Sequence, residues 1–596
     1  LFYTEKETKD RKVANAIGLG VTGLPPCGTV SCPERVESPF AMASGQHIRD
    51  NLQAFRDLFT GLDGGMGLND LLQGIGRSDI ASKLITQADA ALAAADLLTD
   101  RFEAEVAAIP SREACINLSC RSDLGTEPAD SRSGGRRQRL ADLMAEKLHR
   151  WLFQPFDIAA LAVYRMLFGL LMCAGSLRFM AQGWVDRLFV EPTFHFKYWG
   201  FGWVQVPEAT GLYLLYGGIA ISALMVALGA FYRVAIIAFW CLFTYAELMD
   251  VSTYLNHYYL VSLQALILCF LSPHRAWSID AWRRPAIAAS TLPAWQTYWL
   301  RFQVGLLYFY AGLAKLEPDW LLHAQPLNIW LPAHAGLPLL GPFLGQPWVH
   351  YAFSWFAFFF DTFIIAFMLW RRTRLLAFAV ILVFHLFTHL FFNIGLFPLI
   401  MVFGVLNYFE PDWPRRWLPW LPWLRGTPSA SARPAPGWTL RSAVFASVVA
   451  GFCLLQFMLP LRHWLYPGTV LWHEQGMRFS WRVMLREKSG ALDYRVVQAN
   501  GDVLLVSPHA YLTLQQYREM SAQPDLILQL AHHIRDDYNA RGVGPVQVYA
   551  DVMVSLNARP AARLIDPEVD LAQVDDGLAV ATWILPAPTA PPPLMS

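Results

Sequence analysis

Apolar residues recur in three different rhythms along the 596 residues of this chain. In residues 1 to 120 they fall at three and four spacing, through Ile48 to Leu58 and again through Asp79 to Val106, which predicts a short helical domain fragment with amphipathic helices. Residues 121 to 150 lose that rhythm. SDLGTEPADSRSGGRRQRL has the Gly, Ser and Arg content of a linker, and LADLMAEKLHRWLFQPF after it is a basic amphipathic stretch suited to the cytoplasmic membrane surface. From 151 to 464, long apolar runs recur at the roughly 20-residue length that crosses a hydrocarbon core of about 30 Å. There are nine of them, at about 158 to 180, 211 to 231, 233 to 250, 257 to 272, 295 to 315, 349 to 370, 374 to 392, 394 to 409 and 441 to 461. The fourth and eighth are short, as a re-entrant or tilted element would be. From 465 to 585 the period drops to two in Tyr494 to Gln498, Val503 to Val506 and Val546 to Ser555, with a helical stretch over Leu526 to Tyr538. Ala499, Asn500, Gly501 and Asp502 join two of these runs as a hairpin turn. The predicted fold class is a polytopic α-helical membrane bundle of about nine spans, followed by an extramembrane α+β domain and preceded by the helical fragment. The Pro-rich tail, 586 to 596, is expected to be disordered.

Composition agrees with a membrane solvent: 55% of residues are hydrophobic and 16% charged, too apolar for an ordinary soluble chain of this size. Basic and acidic residues balance at 47 each, so no basic field points to nucleic acid as a partner. Arg136, Arg137, Arg139 and Arg150 precede the first span, Arg275, Arg283 and Arg284 follow the fourth, Arg371, Arg372 and Arg374 follow the sixth, and Arg415, Arg416 and Arg425 follow the eighth. The segment from Leu316 to His350 holds no Lys or Arg. Positive charge collects on the cytoplasmic side, so the expected topology is N-terminus inside and C-terminal domain outside, in a bacterial-type inner membrane. Among the cysteines, Cys173, Cys241, Cys269 and Cys453 lie in apolar runs and read as helix packing. Cys27 with Cys32, and Cys115 with Cys120, form two C-x4-C pairs that suit disulfides better than zinc, whose ligand spacing is tighter.

Within the bundle, Lys315 ends the run WLRFQVGLLYFYAGLAKLEPDW. A lysine at a membrane boundary can simply snorkel into water. Alternatively, a desolvated lysine holds its proton less well, which makes Lys315 a candidate base for a weak acid such as a hydroquinone; pairing with Glu317 or Asp319 would oppose this. Asn256 and His257, in STYLNHYYLVSLQAL, read either as interfacial belt residues or as an amide and imidazole able to hold and polarise a quinol oxygen. The topology places Asn256, His257 and Lys315 on the same outer side. His385 and His389, four apart in VFHLFTHLFFNIG, have a spacing that permits a metal or haem, but no further ligand accompanies them and bonding across helices is the favoured reading. Arg165, Arg301 and Asp361 are costly to bury singly, so each is expected to pair or to line a polar cavity.

Several stretches resemble the vitamin K-dependent gamma-glutamyl carboxylase family and its bacterial relatives with the horizontally transferred transmembrane domain. They are LFVEPTFHFKYWGFGW, LNHYYL, YFYAGLAKLEPDW, FEPDWPRRW, GMRFSWRVMLRE and VYADVMVSLNARPAARLIDPEVDL, running from Phe153 to Gln573. The resemblance implies a carbon–carbon lyase in which Lys315, matching the catalytic lysine, deprotonates vitamin K hydroquinone, or menaquinol, so that O2 can add. The oxygenated quinol then takes the γ-proton of a glutamate in a protein or peptide substrate, CO2 captures the carbanion, and the quinol leaves as its epoxide. His257 and Asn256 match positions that support this chemistry, and no metal is implied. Vertebrate members carry two lysines where this chain has Ala314 and Lys315. Near the N-terminus, ESPFAMASGQHIRDNLQAFRDLFTG and GLNDLL resemble the C-terminal part of imelysin-like proteins without their upstream metal-type motif, so His47 reads as a surface residue. Imelysins are expected outside the cytoplasm, against the charge count here; either the piece is a chance fusion or one span escapes the count. The alternative function is a membrane binding or transport protein serving iron uptake, and the plainest reading is a scaffold displaying its C-terminal domain.

Overall fold

The computed structural model describes residues 143–338, 340–392, 394–420 and 439–593, all in the second of the chain's two units, 138–596. The N-terminal fragment expected to be helical, with His47, Cys27, Cys32, Cys115 and Cys120, lies outside the described residues. The basic stretch before the first span is helical, α1 (143–153), and leads through strand β1 (Pro155–Asp157) into α2 (Ala159–Ala181). There follow α3 (Ala209–Leu228), α4 (Tyr232–Leu248), α5 (Asn256–Phe270), strand β2 (Thr291–Pro293) and α6 (Trp295–Leu313). Next come α7 (Pro318–His323), α8 (Pro347–Leu369), α9 (Arg374–Phe391), α10 (Phe397–Val405) and α11 (Leu440–Met458). β1 and β2 pair antiparallel, Phe156 opposite Leu292, which pins the starts of α2 and α6 together. α2 and α3 run in close contact because residue 169 is glycine: a Cβ there would fall 2.5 Å from the Ala227 backbone nitrogen. Small residues let helix backbones approach where lipid supplies no hydrophobic drive.

Each expected span holds a helix, yet five helices among the described residues are long and apolar enough to cross a membrane: Ala159–Ala181, Ala209–Leu228, Pro347–Leu369, Arg374–Phe391 and Ser442–Leu465. The expectation of nine is narrowed to these. α4, α5 and α10 have 17, 15 and 9 residues, roughly 26, 23 and 14 Å of helix against a core of about 30 Å. α6 is longer but diluted by Gln296, Arg301 and Gln303. Apolar composition alone does not show where the backbone turns. Two arginines inside the bundle donate to main-chain carbonyls rather than to acids. Arg165, with no exposed surface, donates to the carbonyls of Val226, Ala227 and Trp277 at 2.6 to 2.7 Å, two of them at the negative end of α3. Arg301 donates to Asn407 O and Phe409 O at 2.6 and 3.1 Å.

The C-terminal domain is α+β. Its sheet runs β4-β3-β5-β6 and is antiparallel throughout, built from β3 (Lys488–Gln498), β4 (Val503–Val506), β5 (Val546–Leu556) and β6 (Ala562–Arg563). The hairpin expected at Ala499 to Asp502 joins β3 to β4. Between β4 and β5 lie α12 (Leu514–Met520) and α13 (Pro524–Ala540). Alternate residues of β5 are buried, and α13 packs on that sheet with Leu526, Ile527, Leu530, Ala531 and Ile534. The tail expected to be disordered is held at least to Ala590, whose carbonyl accepts from Arg559 Nε at 2.7 Å. That partner is remote in sequence, and a Pro-rich segment gives no periodic sign of it.

One clamp joins this domain to the chain following α6. Arg559 grips Asp319 through both guanidinium nitrogens, at 2.6 and 2.7 Å, and Asn557 Nδ2 adds a third bond at 2.7 Å. Burial opposes the Asp319 charge, but the bonds from Arg559 and Asn557 outweigh it and hold the carboxyl below its usual range. Such a group stabilises the fold fully above its unfolded value, about pH 4, and loses that contribution as pH falls through the lower folded value. Arg559→Ala is expected to cost about 1.5–3 kcal/mol and to flatten the acid limb below about pH 4, read as the thermal unfolding midpoint of purified protein across a pH series.

Candidate functional site

α6 ends at Leu313, and the chain turns through Ala314 and Lys315 into α7. The Lys315 side chain is 6% exposed and folds back along its own helix. Its Nζ donates to Asp361 Oδ2 of α8 at 2.7 Å and to Ala311 O at 3.1 Å, and lies 5.1 Å from the centre of the Trp320 ring. Lys315 does not snorkel into water, and its burial is met by a counter-charge. Neither acid named as a competitor takes that place, since Glu317 pairs with Arg482 at 3.1 Å and Asp319 with Arg559. The pair forms because α6 and α8 touch at Gly312, where a Cβ would fall 2.4 Å from Thr362 Oγ1 and 2.6 Å from its backbone nitrogen.

Lys315 and Asp361 line a cavity of about 700 Å³ whose other walls are almost wholly apolar, among them Leu307, Leu344, Phe353, Phe356 and Phe391. Tyr308 and His385 line it too, with Tyr308 Oη 2.9 Å from His385 Nε2. His389 does not share this site; it is exposed on α9 while His385 is buried. The spacing of four therefore brings no two ligands together, and among the described residues no group of three or more His, Cys, Asp or Glu is arranged to hold a metal. Tyr308 was legible only as one aromatic among many in an apolar run.

Asn256 and His257 begin α5 and line a second, more polar cavity of about 610 Å³ with Glu247, Arg178 and Arg187. The first cavity does not contain them. The two cavities nonetheless share Ile394, Phe397, Val483 and Met484 as lining residues. The Phe397 ring stands 5.7 Å from that of His257 and 6.0 Å from that of His385, centre to centre. Much of the Asn256 amide is already engaged: Oδ1 accepts from Tyr254 Oη at 3.0 Å and Nδ2 donates to Arg482 O at 3.3 Å. It holds the start of α5 in place, whereas the His257 ring is hydrogen-bonded to no described residue. Sequence reasoning grouped the three residues on one side; it gave no sign of the wall between them, because Val483 and Met484 come from the C-terminal domain's leading segment.

Comparison with known families follows this geometry. Residues 153–413 match the HTTM domain, and residues 441–590 match the vitamin K-dependent gamma-carboxylase lumenal domain. The chain is a gamma-carboxylase-like membrane protein. Residues 6–118 match imelysin. No solved structure matches the chain. In this carboxylase-like protein the lysine sits in the HTTM segment, while Val483 and Met484 of the shared wall come from the lumenal-domain segment.

Gly312→Ala tests how tightly the site depends on helix contact. The added methyl is expected to part α6 from α8, cost about 1–3 kcal/mol of overpacking and separate Lys315 from Asp361, seen as a lower unfolding midpoint in detergent; an unchanged midpoint would show that the contact tolerates the methyl.

Proposed function

We propose that this protein is a carbon–carbon lyase of the gamma-glutamyl carboxylase type, coupling oxygenation of a vitamin K-class hydroquinone to carboxylation of glutamate side chains. The observation that carries the reading is the buried Lys315–Asp361 pair in an otherwise apolar cavity. Such a cavity fits a fused-ring quinol with a hydrocarbon tail: the walls offer it apolar contact, and the ion pair and the Tyr308–His385 pair offer polar partners for its oxygens. When bound, the hydroquinone would supply, with O2, the strong base that removes a glutamate γ-proton, leaving as its epoxide with one oxygen atom released as water, while CO2 forms the new carbon–carbon bond.

In this reading the proton of the resting ion pair first passes to Asp361, which leaves Lys315 as a neutral amine that receives the hydroquinone proton, the ammonium formed being balanced by the quinolate. Asp361 orients the Lys315 nitrogen throughout. The aromatic walls exclude water, which would otherwise quench a strong base. His257, hydrogen-bonded to no described residue, lines the second cavity, where the glutamate would be presented, and Asn256 fixes its helix. The same reading places residues 465 to 585 outside the cytoplasm and the bundle, 151 to 464, in the membrane with the N-terminus inside. The second reading, a binding or transport protein tied to iron uptake, draws on the imelysin match alone; bound iron or haem in purified protein, lost on removing residues 1 to 120, would favour it.

The deciding assay supplies reduced vitamin K, O2 and bicarbonate to purified protein in detergent and follows the epoxide by chromatography. Lys315→Ala is expected to lower epoxide formation by about 10²–10⁴-fold. Epoxide at the wild-type rate from the variant would remove Lys315 from the chemistry.

A further inference from the structure

The carboxylase reading gives the two cavities separate tasks and leaves open what joins them. Beside the residues that line both, Arg482 is bonded to a neighbour of each. The Arg482 guanidinium, in a side chain only 7% exposed, bonds Glu317 Oε1 at 3.1 Å and lies 3.0 Å from His463 Nε2. Glu317 is two residues beyond Lys315. The backbone carbonyl of the same arginine accepts from Asn256 Nδ2, beside His257. Its next neighbours, Val483 and Met484, form part of the wall shared by both cavities.

The segment around it is held in an unusual shape. Phe479, Trp481 and Met484 have φ of 62°, 59° and 54°, a left-handed backbone that non-glycine residues rarely adopt. Three such residues in six persist only where their surroundings fix them, and such segments cluster at ligand clamps and switches. Here Trp481 is fully buried against Tyr259 of α5, and the Phe479 amide donates to Tyr254 Oη, which itself donates to Asn256. Asn256 is therefore gripped from both ends of one strap, and the strap is anchored through Arg482 to the turn that carries Lys315.

We propose that Arg482 is a positioning residue that couples the two cavities: a quinone filling the Lys315 cavity presses on the shared wall and, through Arg482, shifts Asn256 and His257. The inference rests on the reading of the first cavity as a quinol site. Coupling of this kind is a free energy between two sites carried by one connected element, and it has to be measured at the second site while the first is filled.

Hydrogen exchange with an oxidised isoprenoid naphthoquinone, which binds without turnover, makes that measurement on the full chain in detergent. In wild type the quinone is expected to slow exchange across 307–320 and also across 254–260. Arg482→Gln, which keeps the backbone carbonyl but loses the charged fork, is expected to keep the first response and reduce the second several-fold. Arg482→Lys, which retains a charge toward Glu317, is expected to lie between them and stands in should the glutamine variant misfold. A response at 254–260 that is absent in wild type, or undiminished in these variants, overturns the coupling while leaving the quinol site intact. No response at 307–320 overturns the quinol site, and the coupling with it.

Discussion

An ammonium placed in an apolar bundle costs several kcal/mol even after the protein relaxes, and a carboxylate costs a similar amount. Lys315 and Asp361 are tolerable only together, 2.7 Å apart, and much of the surrounding architecture follows from keeping them so. α6 has to approach α8 closely, which residue 312 permits by lacking a side chain. α6 also has to end just before the lysine, so that Nζ can reach back to Ala311 O, and α7 has to bring Trp320 near it. Trp320 is in turn fixed to α8, its Nε1 donating to Ser354 O and its carbonyl accepting from Ser354 Oγ. Removing one partner leaves a lone buried charge and is far more damaging than replacing both. A ligand hydroxyl that inserts between them, by contrast, gives each a new partner at the moment the old one is lost.

In the proposed carboxylase chemistry the same constraint gives the two cavities their different walls. A strong base generated in a wet site would be neutralised by water before it met a weak carbon acid, so the proposed quinol side needs apolar walls. A glutamate side chain needs the opposite, a polar approach with cations near its carboxylate. Arg178 and Arg187, both exposed, give the second cavity that character, whereas the cation lining the first, Lys315, is buried and paired with Asp361. Separating the two by side chains rather than by a helix keeps them near each other. Phe397 is the example: its ring has a histidine from each cavity within about 6 Å, a contact distance for aromatic groups.

What the sequence made legible divides along physical lines. Period, length and turn chemistry are local, and they placed β4, β5, the 499–502 hairpin and α13 to within a few residues, while β3 begins at Lys488, ahead of the expected Tyr494, and the short β6 carries no such signal. The same local signals do not separate a span from a shorter helix: an apolar run such as 257 to 272 holds a helix of 15 residues. At the site, Lys315 and Asp361 could each be flagged singly as charges in apolar surroundings, yet nothing in a sequence tells which buried charges are partners. Arg165 and Arg301, expected to pair or to line a polar cavity, instead donate to main-chain carbonyls, partners that no charge pattern marks. Glu317 and Asp319 mislead in the other direction: nearest to Lys315 in the chain, they serve arginines of the C-terminal segment instead.

Ala314 shows how far charge balance shapes this version of the site. The resemblance places a second lysine there in vertebrate carboxylases, whereas here the position is 6% exposed in an apolar cluster. The Asp361 carboxylate is already bonded to Lys315, and the other acids of the neighbouring turn, Glu317 and Asp319, are each committed to an arginine. A lysine at 314 would thus enter the protein without a counter-charge, and would compete for the one that Lys315 depends on. One lysine with one carboxylate is a self-consistent arrangement, and in the proposed chemistry it leaves Lys315 as the one lysine of this turn.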